Sequence, residues 1–366
     1  ASQQRSEKQG PLQIHRRRRR YSETKPSEEG YVKIAVIGAG SWGTTVASLV
    51  ADKERTVLWA RRPELAADID GRSQNPDYLP GFQLPEALSA TSDLEAALDE
   101  ASVVVMGVPS HGTRAVLEAS RGSIDPATPI VSLTKGIEQD TLMRMTEVAA
   151  DVLPDHDRSR IGVLSGPNLA KEVLIGQPAA TVVAMTDSSV AADLQALFMT
   201  PTFRVYTNTD VVGSESAGAL KNVMAIAAGM ADGLGFGDNS LATLITRALA
   251  ELTRLGVAMG GRALTFAGLA GTGDLIATCV SEQSRNHRVG FGLGEGRPLD
   301  EIIAEMNMVA EGVKSTRGIL ALAKEYGVEM PIAEQVGRVL YDGADPAEAV
   351  ATLMMRQAKP EAHGIG

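Results

Sequence analysis

The sequence has only one cysteine, Cys279, among its 366 residues. Disulfides within the chain are therefore impossible, and a cysteine-based metal cluster is disfavoured. Aromatic residues make up only 4% of the chain, and we expect that no apolar run approaches the length needed to cross a bilayer. The five histidines show no spacing typical of metal ligands. We therefore expect a protein of the reducing cytoplasm with no metal and no membrane span.

The charge is distributed unevenly between the first 30 residues and the rest. The net charge is −10, but residues 1–30 carry eight Lys or Arg and four acids, so the remainder carries −14. This leader lacks the apolar region of a secretory signal, and we expect it to be disordered. Two alternatives are a contact with nucleic acid or another anionic surface through Arg16–Arg20, and a mis-assigned start near Tyr31. The acidic body argues against nucleic-acid binding as the main role.

Apolar strands alternate with helical stretches after the leader. The predicted strands are "VKIAVIGAG", "TVLWA", "SVVVMGV", "PIVSLT", "RIGVLSG", "AATVVAM" and "FRVYT". This alternation indicates βαβ units around a mostly parallel sheet. From about Ser214 the pattern becomes long helices with glycine-rich joints. We predict an α/β fold, with a Rossmann-type doubly wound sheet at 31–212 and an all-α substrate domain at 213–356, between the leader at 1–30 and a flexible tail at 357–366.

A glycine motif follows the first predicted strand. The segment Gly38-Ala39-Gly40-Ser41-Trp42-Gly43 matches G-x-G-x-x-G between a strand and a helix start. Gly38 permits a tight turn, Gly40 lets the backbone approach a pyrophosphate, and Gly43 lets helix and strand pack closely. The pyrophosphate would meet the unpaired N–H groups of the helix N-terminus. This context favours a dinucleotide site over a ligand-free turn.

The end of the second predicted strand bears on the choice of cofactor. Sites selective for NAD usually carry Asp or Glu there, to bind the ribose hydroxyls. Here the sequence has Ala60, Arg61 and Arg62. Two guanidinium groups suit a 2′-phosphate, so we predict NADPH as the preferred cofactor, with NADH possible. The alternative is that one or both arginines are only solvated.

A lysine interrupts the apolar segment "SAGALKNVMAIAAGM", Ser216–Met230. Lys221 and Asn222 lie within a stripe of apolar residues at helical spacing. A charged amine in such a place is costly unless it is paired or its charge is lost. Lys221 either extends to the surface from a half-buried helix or exchanges a proton with a substrate.

Other polar residues fall where strands end or helices begin. Lys135 follows the strand "VSLT", and the carboxyl ends of strands are where doubly wound sheets bind ligands. Asn168 also follows a strand, Asp274 lies in a glycine-rich turn, and Ser284-Arg285-Asn286 opens a predicted helix. A helix N-terminus with an arginine can bind a small dianion. Taken singly, each segment is also explained by helix capping or solvation.

Together these segments resemble the prokaryotic type of NAD(P)-dependent glycerol-3-phosphate dehydrogenase. The matching motifs are "GAGSWGT", "VPSH", "TKG", "SGPNLAKEV", "GALKNVMAIAAGM", "GLAGTGDLIATC", "QSRN" and "VAEG". They occur in the family's order from Lys33 to about Met355. Asn168 stands where many members have Ser or Thr, and the basic leader has no counterpart in the family pattern.

The resemblance implies an activity and roles for individual residues. The reaction would be the reversible reduction of dihydroxyacetone phosphate by NAD(P)H to sn-glycerol 3-phosphate, which supplies glycerophospholipid synthesis, and the family suggests a homodimer. Lys221 would be the general acid/base, with Lys135 and Asp274 beside the reacting carbon. The implied substrate contacts are Lys135, Gly166, Asn168, Lys221, Asp274, Ser284, Arg285 and Asn286. The implied cofactor contacts, besides the glycines, are Ser41, Trp42, Arg61, Arg62, Lys135, Ala170, Arg285, Val309 and Glu311.

Two other functions stay open at this point. A related Rossmann dehydrogenase of β-hydroxy acids or sugar acids would share the glycine motif, the lysine and asparagine on a long helix, and an all-α second half. A dinucleotide sensor without catalysis would need the glycine motif but not Lys221. The Ser284–Asn286 segment and "AGTGDL" favour the phosphorylated triose.

Overall fold

A computed structural model describes residues 32–306 and 310–361. The predicted leader at 1–30, the implied cofactor contact Val309 and residues 362–366 of the predicted tail lie outside the described residues. The described strands form one sheet of eight. Their bounds are β1 Lys33–Ile37, β2 Arg55–Trp59, β3 Leu88–Thr91, β4 Val103–Met106, β5 Ile130–Ser132, β6 Ile161–Ser165, β7 Ala179–Ala184 and β8 Phe203–Asn208.

The sheet has the order β3-β2-β1-β4-β5-β6-β7-β8. All neighbouring strands are parallel except β6 and β7, which are antiparallel. The prediction of a mostly parallel, doubly wound sheet is therefore confirmed. Strand β3 was not predicted, because its four residues, "LSAT", form a short strand at the sheet edge with only Leu88 fully buried. Such a segment has no apolar run to mark it.

Within the described residues, seven α-helices accompany the sheet. Their bounds are α1 Ser41–Ala51, α2 Pro63–Arg72, α3 Leu94–Leu98, α4 Ser110–Ala119, α5 Met145–Val152, α6 Ala170–Leu174 and α7 Ser188–Phe198. Alternate residues of β1 enter different cores: Ile34 and Val36 pack with α1, α2 and α7, whereas Ala35 and Ile37 pack with α3, α4 and α5. The sheet is covered on both faces, as parallel sheets require.

From Val211 the described chain is helical. The helices are α8 Val211–Gly233, α9 Asp238–Ala258, α10 Ala263–Phe266, α11 Asp274–Val280, α12 Arg285–Gly294, α13 Leu299–Ala304, α14 Glu311–Glu325, α15 Pro331–Asp342 and α16 Pro346–Met354, with a π-helical turn at Leu269–Gly273. Helix α8 is buried over almost its whole length. Helix α12 touches its backbone, because a Cβ on Gly290 would lie 2.0 Å from the carbonyl oxygen of Ile226. The prediction of an α/β part followed by a helical part is confirmed.

One described stretch, Ala263–Val280, has the length and composition to cross a membrane, with a mean hydropathy of 1.4. This stretch is an exception to the expectation that no apolar run approaches the length needed to cross a bilayer, although Gly and Thr interrupt its apolar residues. In the fold it is divided among α10, the π-helical turn and α11, each of which contacts α8. It also carries the buried Asp274. Its apolar side chains thus belong partly to the packing around α8, and it is weak evidence for a membrane span.

Candidate active site

The glycine motif forms a turn between β1 and α1, which we call the glycine turn (Gly38–Gly43). Gly38 has a φ of +119°, and a Cβ on it would lie 2.6 Å from the carbonyl oxygen of Gly107. A Cβ on Gly43 would lie 2.1 Å from the carbonyl oxygen of Gly38. Only glycine fits either position without rearrangement. The turn lies where β1 adjoins β4 and the strand order reverses, which is the usual ligand crevice of such sheets.

Gly40 faces open space. A Cβ there would meet no atom of the described chain within 4 Å, and no side chain caps the start of α1. The first N–H groups of α1 therefore point to a region that a pyrophosphate can enter. Nearby, the indole Nε1 of Trp42 is buried and has no hydrogen-bond partner among residues 32–306 and 310–361. The turn and this unpaired donor fit a dinucleotide.

Other implied cofactor contacts lie around the same turn. The hydroxyl of Ser41 donates to the carbonyl oxygen of Tyr78 at 3.0 Å. The hydroxyl of Thr45 on α1 donates to the carbonyl oxygen of Ala170 at 3.3 Å, so the start of α6 lies against α1. Ser41 is the first residue of α1, and Ala170 lies beside the N-terminal half of that helix.

Arg61 and Arg62 are exposed after β2. The guanidinium of Arg62 is paired with the carboxylate of Asp77, which raises the pKa of Arg62. The predicted 2′-phosphate contact of Arg62 would therefore compete with an internal ion pair. Burial lowers the pKa of His111 at the start of α4, and the charges of Lys314 and Arg61 lower it further.

Three charged side chains that are distant in sequence meet at the carboxyl edge of the sheet. The Nζ of Lys135 lies 2.7 Å from Oδ2 of Asp274, and the Nζ of Lys221 lies 3.0 Å from Oδ1 of the same carboxylate. Lys221 is only 5% exposed and Asp274 only 2%. Lys221 therefore does not extend to the surface. We call this group the lysine–aspartate cluster (Lys135, Lys221 and Asp274).

Each member of the cluster is held by a different element. Lys135 follows β5, Lys221 lies in the middle of α8, and Asp274 is the first residue of α11 after the π-helical turn. Helical irregularities of this kind often occur at functional sites. The side chain of Asp274 does not cap α11, as the capping interpretation would require, but forms ion pairs with both lysines.

Burial and neighbouring charges set the state of Lys135. Burial lowers its pKa to about 8; the charge of Asp274 opposes that shift, and the charge of Lys221 adds to it. Two ammonium groups share one carboxylate, so the cluster carries excess positive charge when both are protonated. Such a site favours a group on which negative charge develops.

Thr278 completes the surroundings of Lys221, although the sequence analysis did not single it out. The ammonium of Lys221 donates to the hydroxyl of Thr278, which donates to the carbonyl oxygen of Asp274 at 2.6 Å. Asp274 and Thr278 are four residues apart on α11, so they share a face. The available signal was therefore a polar pair at helical spacing within an apolar segment.

The segment after β6 borders the cluster. The Nζ of Lys135 donates to the carbonyl oxygen of Gly166 at 2.9 Å, and the amide nitrogen of Asn168 donates to the hydroxyl of Thr181 at 3.0 Å. Two atoms here, Ser165 Oγ and Asn168 Oδ1, are buried and have no hydrogen-bond partner within the part of the chain that the structure describes. These unpaired atoms fit a site that takes a polar substrate.

The predicted phosphate segment opens α12. The hydroxyl of Ser284 accepts from the N–H of His287 at 3.2 Å, so Ser284 does cap this helix. Oδ1 of Asn286 accepts from the N–H of Gly312 at 2.9 Å, which ties α12 to the start of α14. Burial raises the pKa of Glu311, and the charges of Arg285, Lys221 and Lys135 oppose this shift. Arg285 and Glu311 therefore lie on the side of the lysine–aspartate cluster.

Metal ligands are not grouped in the described structure. Among residues 32–306 and 310–361, no set of three or more His, Cys, Asp or Glu side chains is placed to hold a metal ion. Cys279 is buried in the helical core beside α8, and burial raises the pKa of its thiol to about 12.

The sheet with its glycine turn and Lys135 after β5, followed by helices that supply Lys221 and Asp274, defines the class of nicotinamide-dependent dehydrogenases. Comparison with known families narrows the class. The N-terminal model of NAD-dependent glycerol-3-phosphate dehydrogenase matches residues 33–191, and the C-terminal model matches residues 210–351. The chain belongs to the NAD-dependent glycerol-3-phosphate dehydrogenase family.

Individual relatives agree with this membership. The chain is 54% identical over 337 residues to glycerol-3-phosphate dehydrogenase (NAD(P)+) of Thermobifida fusca (strain YX), covering 91% of this chain and 99% of the relative. It is 53% identical over 332 residues to glycerol-3-phosphate dehydrogenase (NAD(P)+) 2 of Sphingopyxis alaskensis (strain DSM 13593 / LMG 18877 / RB2256), covering 91% and 99%. The crystal structure of glycerol-3-phosphate dehydrogenase from Coxiella burnetii matches with a TM-score of 0.85 and 38% identity, covering 89% of this chain and 99% of that chain.

These comparisons confirm the family predicted from the motifs. They do not favour the alternative of a β-hydroxy acid or sugar acid dehydrogenase. The roles assigned to individual residues stay predictions.

Proposed function

We propose that this chain reduces dihydroxyacetone phosphate to sn-glycerol 3-phosphate with NAD(P)H, reversibly, and so supplies glycerophospholipid synthesis. The observation that carries the proposal is the lysine–aspartate cluster, buried at the carboxyl edge of the sheet. The identity of the substrate is inferred from the family to which the chain belongs. When bound, the reduced nicotinamide supplies the hydride. The chain's residues bind and orient the substrate and transfer the proton.

Lys221 is the proposed general acid for the ketone oxygen. Its ammonium is buried and held by Asp274 and Thr278, which fix its direction. A proton donor must reach the oxygen within about 3 Å as negative charge develops there. In the reverse direction the amine of Lys221 accepts the hydroxyl proton.

Lys135 and Asp274 are proposed to stabilise and align this step. A pKa near 8 leaves the ammonium of Lys135 charged at neutral pH, where it stabilises a developing alkoxide. The carbonyl oxygen of Gly166 and the carboxylate of Asp274 each hold Nζ of Lys135. Because Asp274 contacts both lysines, it sets the distance between the proton donor and the second cation.

The phosphate end is proposed to bind at the start of α12, through Ser284, Arg285 and Asn286. Helix α12 is ten residues long, and its N-terminal N–H groups and an arginine suit a dianion. Binding energy at this end orients the carbonyl toward Lys221. Gly166 and Asn168 are proposed to contact the substrate from the opposite side.

NADPH is the proposed preferred cofactor. The support is the pair Arg61 and Arg62 in place of an acidic residue after β2. Substituting both by Glu should weaken NADPH binding at least about tenfold relative to NADH. Equal loss for both cofactors, or no loss, would show that these arginines do not read the 2′-phosphate.

We also propose that the protein is a cytoplasmic homodimer. Large apolar side chains are exposed on α10 and α11, namely Leu264 at 83%, Val280 at 53% and Ile276 at 43%. Exposed apolar groups of this kind support a contact between protein chains. Light scattering during gel filtration should give twice the mass of the chain, and Leu264→Glu should shift it towards the monomer.

The decisive test compares substrates and one variant. NADPH oxidation by the purified protein should be fast with dihydroxyacetone phosphate and far slower with a panel of oxo acids. Lys221→Ala should lower turnover by about 10³-fold while NADPH still binds. Preference for an oxo acid would reject the proposed substrate, and unchanged turnover would reject the role of Lys221.

A further inference from the structure

One face of α8 carries three residues that all contact the segment containing Lys135. Glu215, Gly218 and Asn222 are three and four residues apart and so share a helix face. The segment is residues 135–146, which we call the lysine loop. It runs from the end of β5 to the first turn of α5.

Two of the three contacts touch Lys135 directly. The amide nitrogen of Asn222 donates to the carbonyl oxygen of Lys135 at 3.3 Å. A Cβ on Gly218 would lie 3.5 Å from Cγ of Lys135 and 2.9 Å from the hydroxyl of Ser165. The stem of Lys135 therefore crosses α8 at Gly218, where the helix has no side chain.

The third contact anchors the far end of the lysine loop. Glu215 is 2% exposed, and its carboxylate accepts from Nη1 of Arg144 at 2.8 Å, the N–H of Thr146 at 2.9 Å and the hydroxyl of Thr146 at 2.5 Å. Arg144 also pairs with Glu147 at 2.7 Å. The carboxylate thus binds Arg144, the residue before α5, and Thr146 in the first turn of α5.

The lysine loop carries this anchor back to Lys135. Ile137 and Arg144 form an antiparallel bridge, and the N–H of Glu138 donates to the carbonyl oxygen of Met143 at 2.9 Å. Arg114 donates to both carboxylate oxygens of Glu138, at 2.9 and 2.8 Å. The loop is therefore closed on itself, and a shift at Arg144 reaches Ile137, two residues after Lys135.

We propose that Glu215 and Arg144 are positioning residues that hold the lysine loop on α8 and thereby set the place of Lys135 relative to Lys221. Glu215 and Lys221 lie on the same helix, α8. The ion pair of Glu215 with Arg144 therefore fixes the loop that carries Lys135 to the helix that carries Lys221. This inference rests on the proposed function, in which Lys135 stabilises the developing charge. Buried ion pairs often add little net stability, so a positional role accounts for this one better than a stabilising role.

The test compares two buried carboxylates. Glu251 on α9 is also 2% exposed, but it accepts from the N–H groups of Ile332 and Ala333, away from the lysine loop. Glu215→Gln should lower kcat/KM for dihydroxyacetone phosphate about tenfold, because a misplacement near 1 Å is costly in catalysis. Glu251→Gln should leave it within about twofold. In Glu215→Gln the KM for NADPH should change less than kcat/KM does, because the glycine turn is untouched.

A pH profile separates positioning from mere folding. Lys135 faces Asp274, Lys221 and Glu311, and its lowered pKa depends on burial. In Glu215→Gln a loosened lysine loop admits water, so the basic limb of kcat/KM should move up from about pH 8. Arg144 retains its pair with Glu147, which keeps its charge compensated.

A double variant covers the case in which Glu215→Gln fails to fold. Arg144→Met with Glu215→Met replaces the ion pair by apolar groups, which buried sites often tolerate. It should show the same loss of kcat/KM and the same shift of the basic limb. A folded variant with unchanged kcat/KM and an unmoved limb would overturn the inference, while an inactive wild-type protein would instead reject the proposed function on which it rests.

Discussion

The glycine turn and the lysine–aspartate cluster differ in how the chain supplies them. The turn is six consecutive residues whose backbone does the work, and its shape follows from the absence of side chains at Gly38, Gly40 and Gly43. The cluster is three side chains, one after β5, one in α8 and one in α11, up to 139 positions apart in sequence. A site built from backbone tolerates few added side-chain atoms, whereas a site built from charged side chains is sensitive to small changes of charge.

The largest effect should come from the shared carboxylate of the cluster. Asp274→Asn removes the negative charge between two ammonium groups, so their repulsion is no longer offset and the position of Lys221 is lost. We expect kcat/KM for dihydroxyacetone phosphate to fall about 10³-fold. NADPH binding, measured by fluorescence titration, should change little because the glycine turn is untouched.

The control for this prediction is Asp238→Asn at the start of α9. Asp238 is exposed and should be neutral in the same assays. If Asp274→Asn retained more than a tenth of wild-type turnover, charge sharing within the cluster would not be the basis of catalysis.

The next largest effects should come from two glycine substitutions, which separate folding from cofactor binding within the glycine turn. Gly43→Ala places a Cβ 2.1 Å from the carbonyl oxygen of Gly38 and should destabilise the fold by about 3 kcal/mol. Gly40→Ala meets no atom of the described chain within 4 Å, so thermal unfolding should hardly change. Its methyl group would instead enter the space of the pyrophosphate, and the Kd for NADPH should rise at least about tenfold.

Calorimetry and NADPH titration of both glycine variants check this contrast. Tight NADPH binding by Gly40→Ala would show that the open space beside α1 is not where the cofactor lies. A fully stable Gly43→Ala would show that β1 and α1 can separate without cost.

The glycine turn and the lysine–aspartate cluster also differ in how much of each could be predicted from the sequence. The glycine turn was predictable because its requirement is local: a strand, three glycines and a helix start. The candidate lysine Lys221 was visible because a charge interrupts an apolar stripe. The resemblance to the family implied that Asp274 lies near Lys221, but the local pattern did not show it. The contact with Thr278 was missed, since both contacts depend on how α11 packs against α8. The ion pair of Arg144 with Glu215 was missed for the same reason, because neither residue breaks a local pattern.

Glu251 is a third kind of buried carboxyl group, whose hydrogen bonds come from backbone N–H groups, and its effect on stability sharpens the comparison. Burial raises its pKa to about 7, with the N–H groups of Ile332 and Ala333 and the charge of Arg254 opposing. The folded state therefore retains a proton that the unfolded state releases near its ordinary pKa of about 4.3. The stability from this group is full below that pH and is lost as the pH rises through about 7.

Glu251→Gln removes this titration, so the variant should gain on the wild type between pH 5 and pH 8, by up to about 3 kcal/mol in the free energy of unfolding. Urea unfolding at the two pH values measures the difference, with the exposed Glu348→Gln as the matched control. A constant difference between variant and wild type across this range would mean that Glu251 stays charged in the folded state. Its two backbone donors would then compensate a buried carboxylate as fully as the lysines compensate Asp274, and backbone and side-chain sites would be equal in this respect.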